Sequence, residues 1–395
     1  MTLLQIIIRN LRQNAFSSAL TAFSVALAAA LALTAWSVRD QTRSAFINLD
    51  SGYDAVLGAR GSKLQLVLNS IFHLEEPVGN VRVTDWEELA QNPQVAAAVP
   101  LAFGDNFRGF RIVGTTTNYF QHSAGLKMAA GRMFDPEARE VVVGHFAAKK
   151  LGLQIGDEIH PYHGLTFQEE HQHDEDYIVV GILAASNSPA DRVLWISLAG
   201  VQHMGGHSAE SAGEVSAVLV KLRSASAGFL LDQQYNRKES RLTFAYPTGR
   251  IMAQLFERIN WFDRVLTAFA VIVSIVAASG ISASLYNALA SRQREIAIFR
   301  ALGAHRSTLL GMVLLESMAI TMIGVVTGWL LSVLLIEMIS GILSATVGLT
   351  LDGFSLHPAL WIIPAAYGLM GALAGLVPGW RAYSSEVARG LSPQS

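Results

Sequence analysis

The densest set of side chains able to do chemistry in this sequence runs from His160 to Asp176. It reads His160-Pro161-Tyr162-His163, then Glu169-Glu170-His171-Gln172-His173-Asp174-Glu175-Asp176. Imidazole nitrogens and carboxylate oxygens are the donors that suit zinc or a similar divalent ion. The candidate ligands are His160, His163, His171, His173 and Asp174. In an extended segment His171 and His173 share one face, because side chains alternate across a strand. His203 and His207 flank Gly205-Gly206 and, with His73 and His145, are further candidates. The bland alternative is a solvated acidic hairpin tip that contains histidine, since a His-rich tract is compositional evidence. Other chemistry finds little support. There is no cysteine, so neither a disulfide framework nor a thiolate metal site exists. No HExxH or GxSxG pattern occurs, and His73-Leu74-Glu75-Glu76 lacks the second histidine of a metalloprotease. No GxxxxGK[ST] occurs either, so any ATP that drives this protein binds elsewhere.

The histidine-rich stretch belongs to a region of distinct composition. Of the 395 residues, 51% are apolar and 15% charged, a balance that suits a few membrane spans joined to a large soluble domain. Gln13 to Val38 and Val265 to Ser291 carry no charge, and Thr308 to Ser344 carries only Glu316 and Glu337. Each run exceeds the roughly 20 apolar residues that cross a bilayer. A fourth follows from about Leu360 to Trp380. A cleaved signal peptide would have a shorter apolar core than the first run. Ahead of it, Leu4, Ile7, Ile8 and Leu11 repeat at helical spacing, so a short interfacial helix is expected. Between the second and third runs lies a basic segment with Arg292, Arg294, Arg300 and Arg306 against Glu295. The positive-inside rule puts it in the cytoplasm, together with both termini, and puts the large domain outside. Ile296, Ile298 and Phe299 are apolar residues within it that something should cover. Gly324/Gly328 and Gly371/Gly375 are GxxxG pairs that permit close helix packing, within the chain or between copies. Glu316 and Glu337, near opposite ends of the third run, suit interfacial positions or structural hydrogen bonds more than a proton relay.

The soluble region, Arg39 to Trp261, holds 25 acids, 20 Lys plus Arg and nine of the eleven histidines. Strands are expected over Asp54–Ala59, Val95–Val99, Arg108–Val113, Glu140–Val143 and Tyr177–Leu183, all rich in apolar or β-branched residues. Helices are expected over Lys63–Phe72 and Phe146–Leu151, the latter ending at Gly152. A third is expected to open on a Thr84/Glu87 capping box. The expected fold is therefore four transmembrane α-helices plus a large α/β (α+β) extracytoplasmic domain inserted between helices 1 and 2.

Arg294-Glu295-Ile296, Arg300-Ala301-Leu302-Gly303-Ala304 and Glu316 together resemble the signature of FtsX/MacB-like permeases, the membrane subunits of type VII ABC transporters. The opening Ile8–Asn14 is similar to the family's start. Gly131–Phe134, Glu140–Gly144, Leu151–Asp157, Val180–Leu183 and Pro189–Arg192 resemble its periplasmic core in the same order. The resemblance implies these parts: cytoplasmic amphipathic helix 1–15, first span 16–38, periplasmic MacB-like core domain 39–261 and second span 262–291. A cytoplasmic coupling helix 292–307, third span 308–345, short periplasmic loop 346–357, fourth span 358–381 and cytoplasmic tail 382–395 complete the chain. It further implies a non-catalytic subunit in a bacterial inner membrane. Its partners would be a dimeric cytosolic ATPase carrying ATP and Mg, a second permease copy as a homodimer, and a periplasmic or lipoprotein partner. No nucleic acid is expected. Arg294, Glu295, Ile296, Arg300, Leu302 and Gly303 would meet the ATPase. The coupled motion would serve export, extraction or periplasmic regulation, with zinc as a variant. The competing expectation is a membrane-anchored metal sensor or adaptor with no ATPase.

Overall fold

The computed structural model describes residues 3–49, 51–123, 125–164, 173, 175–204, 213–355 and 358–384. In chain order they form α1 (Leu3–Gln13), α2 (Ala15–Ile47), β1 (Ala55–Ala59), α3 (Lys63–Ser70), β2 (Val81–Arg82), α4 (Val83–Ala90), β3 (Val95–Phe107) and β4 (Phe110–Thr115). Next come α5 (Asn118–His122), β5 (Met128–Gly131), β6 (Glu140–Val143), α6 (His145–Leu151), β7 (Glu158–Ile159), β8 (Tyr162–His163), β9 (Tyr177–Leu183), β10 (Leu194–Ser197) and α7 (Leu198–Gln202). The rest are β11 (Glu214–Val215), β12 (Ala217–Leu222), α8 (Ala225–Tyr235), β13 (Leu242–Ala245), α9 (Thr248–Ser291), α10 (Gln293–Ala301), α11 (Arg306–Val347) and α12 (Ala359–Ser384). Two compact units result: Met1–Gln41, Ile259–Ile339 and Leu351–Ser395 form one, Thr42–Arg258 and Ser340–Thr350 the other.

Among the described residues four helices are long and apolar enough to cross a membrane: α2, α9, α11 and most of α12. Three are longer than a bilayer needs. At 1.5 Å per residue the 44 residues of α9 run about 66 Å, against a hydrocarbon thickness of about 30 Å. The second span expected over 262–291 is thus the later part of a helix that starts at Thr248. Arg250, Glu257 and Arg258 end the hydropathy there but not the helical period. They lie exposed, while Ile251 and Met252 are buried in the sheet core. The helix holding the first span likewise runs on past residue 38 to Ile47, where Phe46 and Ile47 pack on that core.

The bundle core joins Val25, Ala28, Ala29 and Leu33 of α2 to Ile281 and Leu285 of α9, Ile320 and Val325 of α11, and Ile363 and Tyr367 of α12. Small residues set the spacing. A Cβ on Gly324 would stand 2.6 Å from the Val25 Cβ, and one on Gly328 would stand 2.6 Å from the Ala26 carbonyl oxygen. Gly371 and Gly375 abut Thr321 and Ser317 in the same way. Both pairs therefore bring helices of this one chain together. The Ser317 hydroxyl also donates to the Gly371 carbonyl at 2.9 Å.

The other unit is built on a mixed sheet ordered β13-β1-β12-β3-β4-β10-β6-β9-β5, with β7 beside β9 and β8 beside β3. β10 runs parallel to β4 and β6 parallel to β9, while the remaining pairs are antiparallel. β3 passes the expected end at Val99 and continues through Pro100 to Phe107. Proline normally argues against a central strand because it lacks an N–H for the ladder. Arg108 (φ 47°) and Gly109 (φ 85°) make the two-residue turn into β4, the positive-φ geometry that matches the strands' twist. A second expectation fails at α4. The Thr84/Glu87 capping box does not form, because the helix starts at Val83 and is entered from Arg82 without a side-chain cap. Pairing of β2 with β11 carries the chain directly into that helix.

Candidate functional site

Two groups of residues answer to the sequence expectations, one in each unit. In the first, Arg294, Glu295, Ile296 and Arg300 all lie on α10, and Leu302 caps its C-terminus. Gly303 follows with φ 97°, a left-handed conformation that ends the helix and that other residues rarely adopt. The helix is two-faced. Ala297 is buried and Ile296 half-buried, while Arg294, Ile298 (45% exposed), Phe299 (37%) and Leu302 (80%) face outward. The chain's own fold therefore leaves part of this apolar set uncovered.

Beneath α10 lies a polar contact the sequence did not reveal. The Arg292 guanidinium donates to the Asn10 carbonyl at 3.0 Å, and the Asn10 amide donates to Glu316 at 3.3 Å. Asn10 and Glu316 are both buried. Glu316 thus makes a structural hydrogen bond that ties α1 to α11. A cavity of about 210 Å³ adjoins it, lined by Arg9, Leu289, Ile296, Phe299 and Met312 among others.

The second group lies in the sheet unit. His163 and His173 come together, and the third member is Asp105, which is not among the ligands expected from the sequence. The possible ligand atoms of these three residues lie within 4.8 Å of one another. The His173 Nε2 is 3.0 Å and the His163 Nδ1 3.5 Å from the same Asp105 carboxylate oxygen. The two rings stand edge to face with centroids 5.5 Å apart. Local structure explains the meeting. β3 has a bulge between Phe103 and Asp105, so the strand's face assignment switches there. Beyond Leu101 β3 has left β12 and pairs with β8, placing Asp105 opposite His163. The Gly164 N–H donates to the Gly104 carbonyl at 2.7 Å, and the Asn106 amide donates to the Gly164 carbonyl at 2.9 Å. The His173 N–H donates to the Pro161 carbonyl at 2.9 Å, which sets the second imidazole beside the first.

The remaining histidines are elsewhere. His160 is paired with Asp176, its Nδ1 2.5 Å from the carboxylate, and is not in the cluster. His171, Asp174 and His207 lie outside the described residues. His145 opens α6, and exposed His203 has its ring Nδ1 2.9 Å from the Ala199 carbonyl oxygen. His73 is half-buried at the edge of the core with both ring nitrogens shut off from solvent, its ring 5.6 Å from Trp195 and 5.9 Å from Phe103. Burial, reinforced by the positive charge of Arg111, pushes the His73 imidazole down to about 3. It is neutral at any physiological pH. No sequence signal marks Asp105, which stands 68 residues before His173. Only the strand pairing shows it.

Comparison with known proteins agrees with this layout. Residues 18–229 match the MacB-like periplasmic core domain, and residues 267–387 match the FtsX-like permease C-terminal domain. The chain is 24% identical over 399 residues to the pyoverdine export ATP-binding/permease protein PvdT of Pseudomonas entomophila (strain L48). That alignment covers 96% of this chain and 58% of the relative. Among solved structures, the periplasmic region of MacB from Actinobacillus actinomycetemcomitans is similar at 13% identity and a TM-score of 0.37. It covers 55% of this chain and 98% of that one. The extracellular domain of the noncanonic ABC-type transporter YknZ from Gram-positive bacteria is similar at 16% identity and a TM-score of 0.32, covering 48% and 99%. Four apolar helices and a periplasmic-type domain fit an inner-membrane protein. With its core-domain match spanning more than half of its length and the permease match following in order, the chain belongs to the MacB/FtsX-like permease family of ABC transporters.

Proposed function

We propose that this chain is the membrane subunit through which a cytosolic ABC ATPase moves an extracytoplasmic domain. The ATPase lies outside these 395 residues, which contain no P-loop. The observation that carries the reading is the outward face of α10: Ile298, Phe299 and Leu302, beside exposed Arg294, in a segment whose charge favours the cytoplasm. Exposed large apolar residues ringed by charge are what a partner protein covers. In this reading the ATPase binds that face as a dimer on two copies of the permease. Closure on ATP shifts α10, and the shift passes to α1 and α11 through Arg292, Asn10 and Glu316. The long helices that follow carry it outward, and the outer domains change their separation. Cargo need not cross the bilayer centre. The pyoverdine-export relative is consistent with export, while extraction or regulation outside the membrane would use the same motion.

The test is a charge placed on the face without disturbing the fold. Leu302→Asp in the purified permease–ATPase complex should lower permease-stimulated ATP hydrolysis about tenfold. That corresponds to about 1.4 kcal/mol of lost coupling. Expression, membrane insertion and Tm should stay as in the parent. Arg300→Glu should act in the same direction. Full stimulation in Leu302→Asp would remove α10 as the coupling surface.

A further inference from the structure

We propose that Asp105, His163 and His173 form a binding site for one divalent transition-metal ion, with zinc as the intended ion. The inference is independent of ATPase coupling, since it rests on the sheet unit alone.

Geometry is the first support. Zinc holds nitrogen and oxygen donors at about 2.0–2.1 Å in a tetrahedron, which sets neighbouring donors about 3.3–3.4 Å apart. The carboxylate oxygen already stands 3.0 Å and 3.5 Å from the two imidazole nitrogens. Those two separations bracket the tetrahedral value, and all the ligand atoms lie within 4.8 Å of one another. Such spacing is also that of plain hydrogen bonds, so distance alone does not decide.

Burial and scaffolding decide. The Asp105 side chain is 0% exposed, and a carboxylate taken out of water needs compensating positive charge. A dication held between the carboxylate and two imidazole nitrogens supplies it. Each donor is also fixed by backbone. Asp105 sits beside a bulge, His163 is its cross-strand partner, and His173 is held through the Pro161 carbonyl. A site whose donors come from three points of a hydrogen-bonded framework is preorganised, which a solvated acidic hairpin would not be.

The donor set and its access indicate the kind of site. Two nitrogens and one oxygen suit zinc better than calcium or magnesium, which prefer oxygen alone. Three protein ligands leave a fourth position for water or an exchanging donor. His163 keeps 53% of its side chain exposed, so the ion can enter from solvent. An exchangeable site of this kind would take up and release zinc. A bound ion would also clasp β8 and the chain at His173 to β3.

The experiment uses the full-length protein in nanodiscs, stripped with chelator and titrated with zinc chloride by calorimetry. Cobalt(II) chloride is used in parallel as an optical probe. One zinc per chain should bind, and cobalt should give the intense visible bands of a four- or five-coordinate nitrogen/oxygen site. Asp105→Asn, which keeps the volume, and exposed His163→Ala should each weaken zinc by about 100-fold or more, since even outer-shell changes cost about 10–100-fold. His160→Ala should leave binding unchanged. No zinc binding by the parent would overturn the site. So would zinc binding that His163→Ala leaves intact, which would place the ion on other donors. Because His163 is exposed, that variant tests the site even if Asp105→Asn fails to fold.

Discussion

In the membrane bundle, α2 buries Ala22, Val25, Ala26, Ala28, Ala29 and Ala30 and turns Phe16, Leu20, Phe23 and Leu27 outward. This small-residue face of α2 receives larger neighbours such as Ile281, Leu285, Ile320 and Tyr367, whereas the sheet unit stacks large side chains on one another. Its largest fully buried side chains are Trp195, Tyr177, Phe244 and Leu57, and its exposed helix surfaces carry charge, as at Arg250, Glu257 and Arg258. One chain thus follows two burial rules, because it folds in two solvents. In water, burying large apolar surface drives folding, so the big residues go inside. In lipid the outside is as apolar as the inside. Helices then gain from close backbone approach and hydrogen bonds, which small residues permit.

The comparison can be broken by substitutions that exchange the rules. The largest effect is expected from Trp195→Ala. The side chain is fully buried and stacks on Tyr119 at 4.3 Å, so its loss should cost about 3–5 kcal/mol. Chemical denaturation of the purified protein, followed through the sheet unit's circular dichroism, measures it. Next is Gly328→Leu, where the added side chain meets the α2 backbone at Ala26. Overpacking there should cost about 1–3 kcal/mol or more and lower the bundle's unfolding temperature in detergent, leaving the sheet unit's transition in place. Equal melting of parent and variant would mean that the α2–α11 contact is not close.

A pH titration sharpens the same contrast. His73 is neutral in the fold, with its imidazole pushed down to about 3 by burial and by Arg111. The unfolded chain protonates it near the ordinary 6.5, so between about pH 6.5 and 3 the unfolded state holds more protons. Stability is therefore full above pH 6.5 and falls as pH falls. By pH 5 the loss is about 2 kcal/mol. His73→Phe should flatten that part of the sheet unit's pH–stability profile, and a slope unchanged in the variant would assign it to other groups. The smallest effect is expected from Phe23→Ala, which removes a large side chain from a surface meant for lipid. A change under about 1 kcal/mol in detergent unfolding is expected; a loss like that of Trp195→Ala would mean a protein partner covers the position.

The apolar runs were legible because a span needs length and the absence of charge, both linear properties. The strands Glu140–Val143 and Tyr177–Leu183 were legible for the same reason, as short β-branched runs. Helix ends were not. Arg39 and Arg264 mark where charge resumes, but α2 and α9 extend past them because their period continues and the sheet core covers one side. Pro100 hid the length of β3, since ladder bonding on one strand tolerates one missing donor when the flanking pairs hold.

What the sequence determined by itself was the class of molecule: four apolar runs, one basic segment between the second and third, a charged domain between the first and second, and the motifs of the permease family. These depend on composition and order along the chain. Tertiary structure alone decided which residues meet. It left Ile298, Phe299 and Leu302 partly exposed on α10, linked Asn10 to Glu316, paired His160 with Asp176 and packed His73 against Trp195. It also brought Asp105 to His163 and His173. The physical reason is that strand pairing and a one-residue bulge choose partners across dozens of residues, and no local pattern encodes that choice.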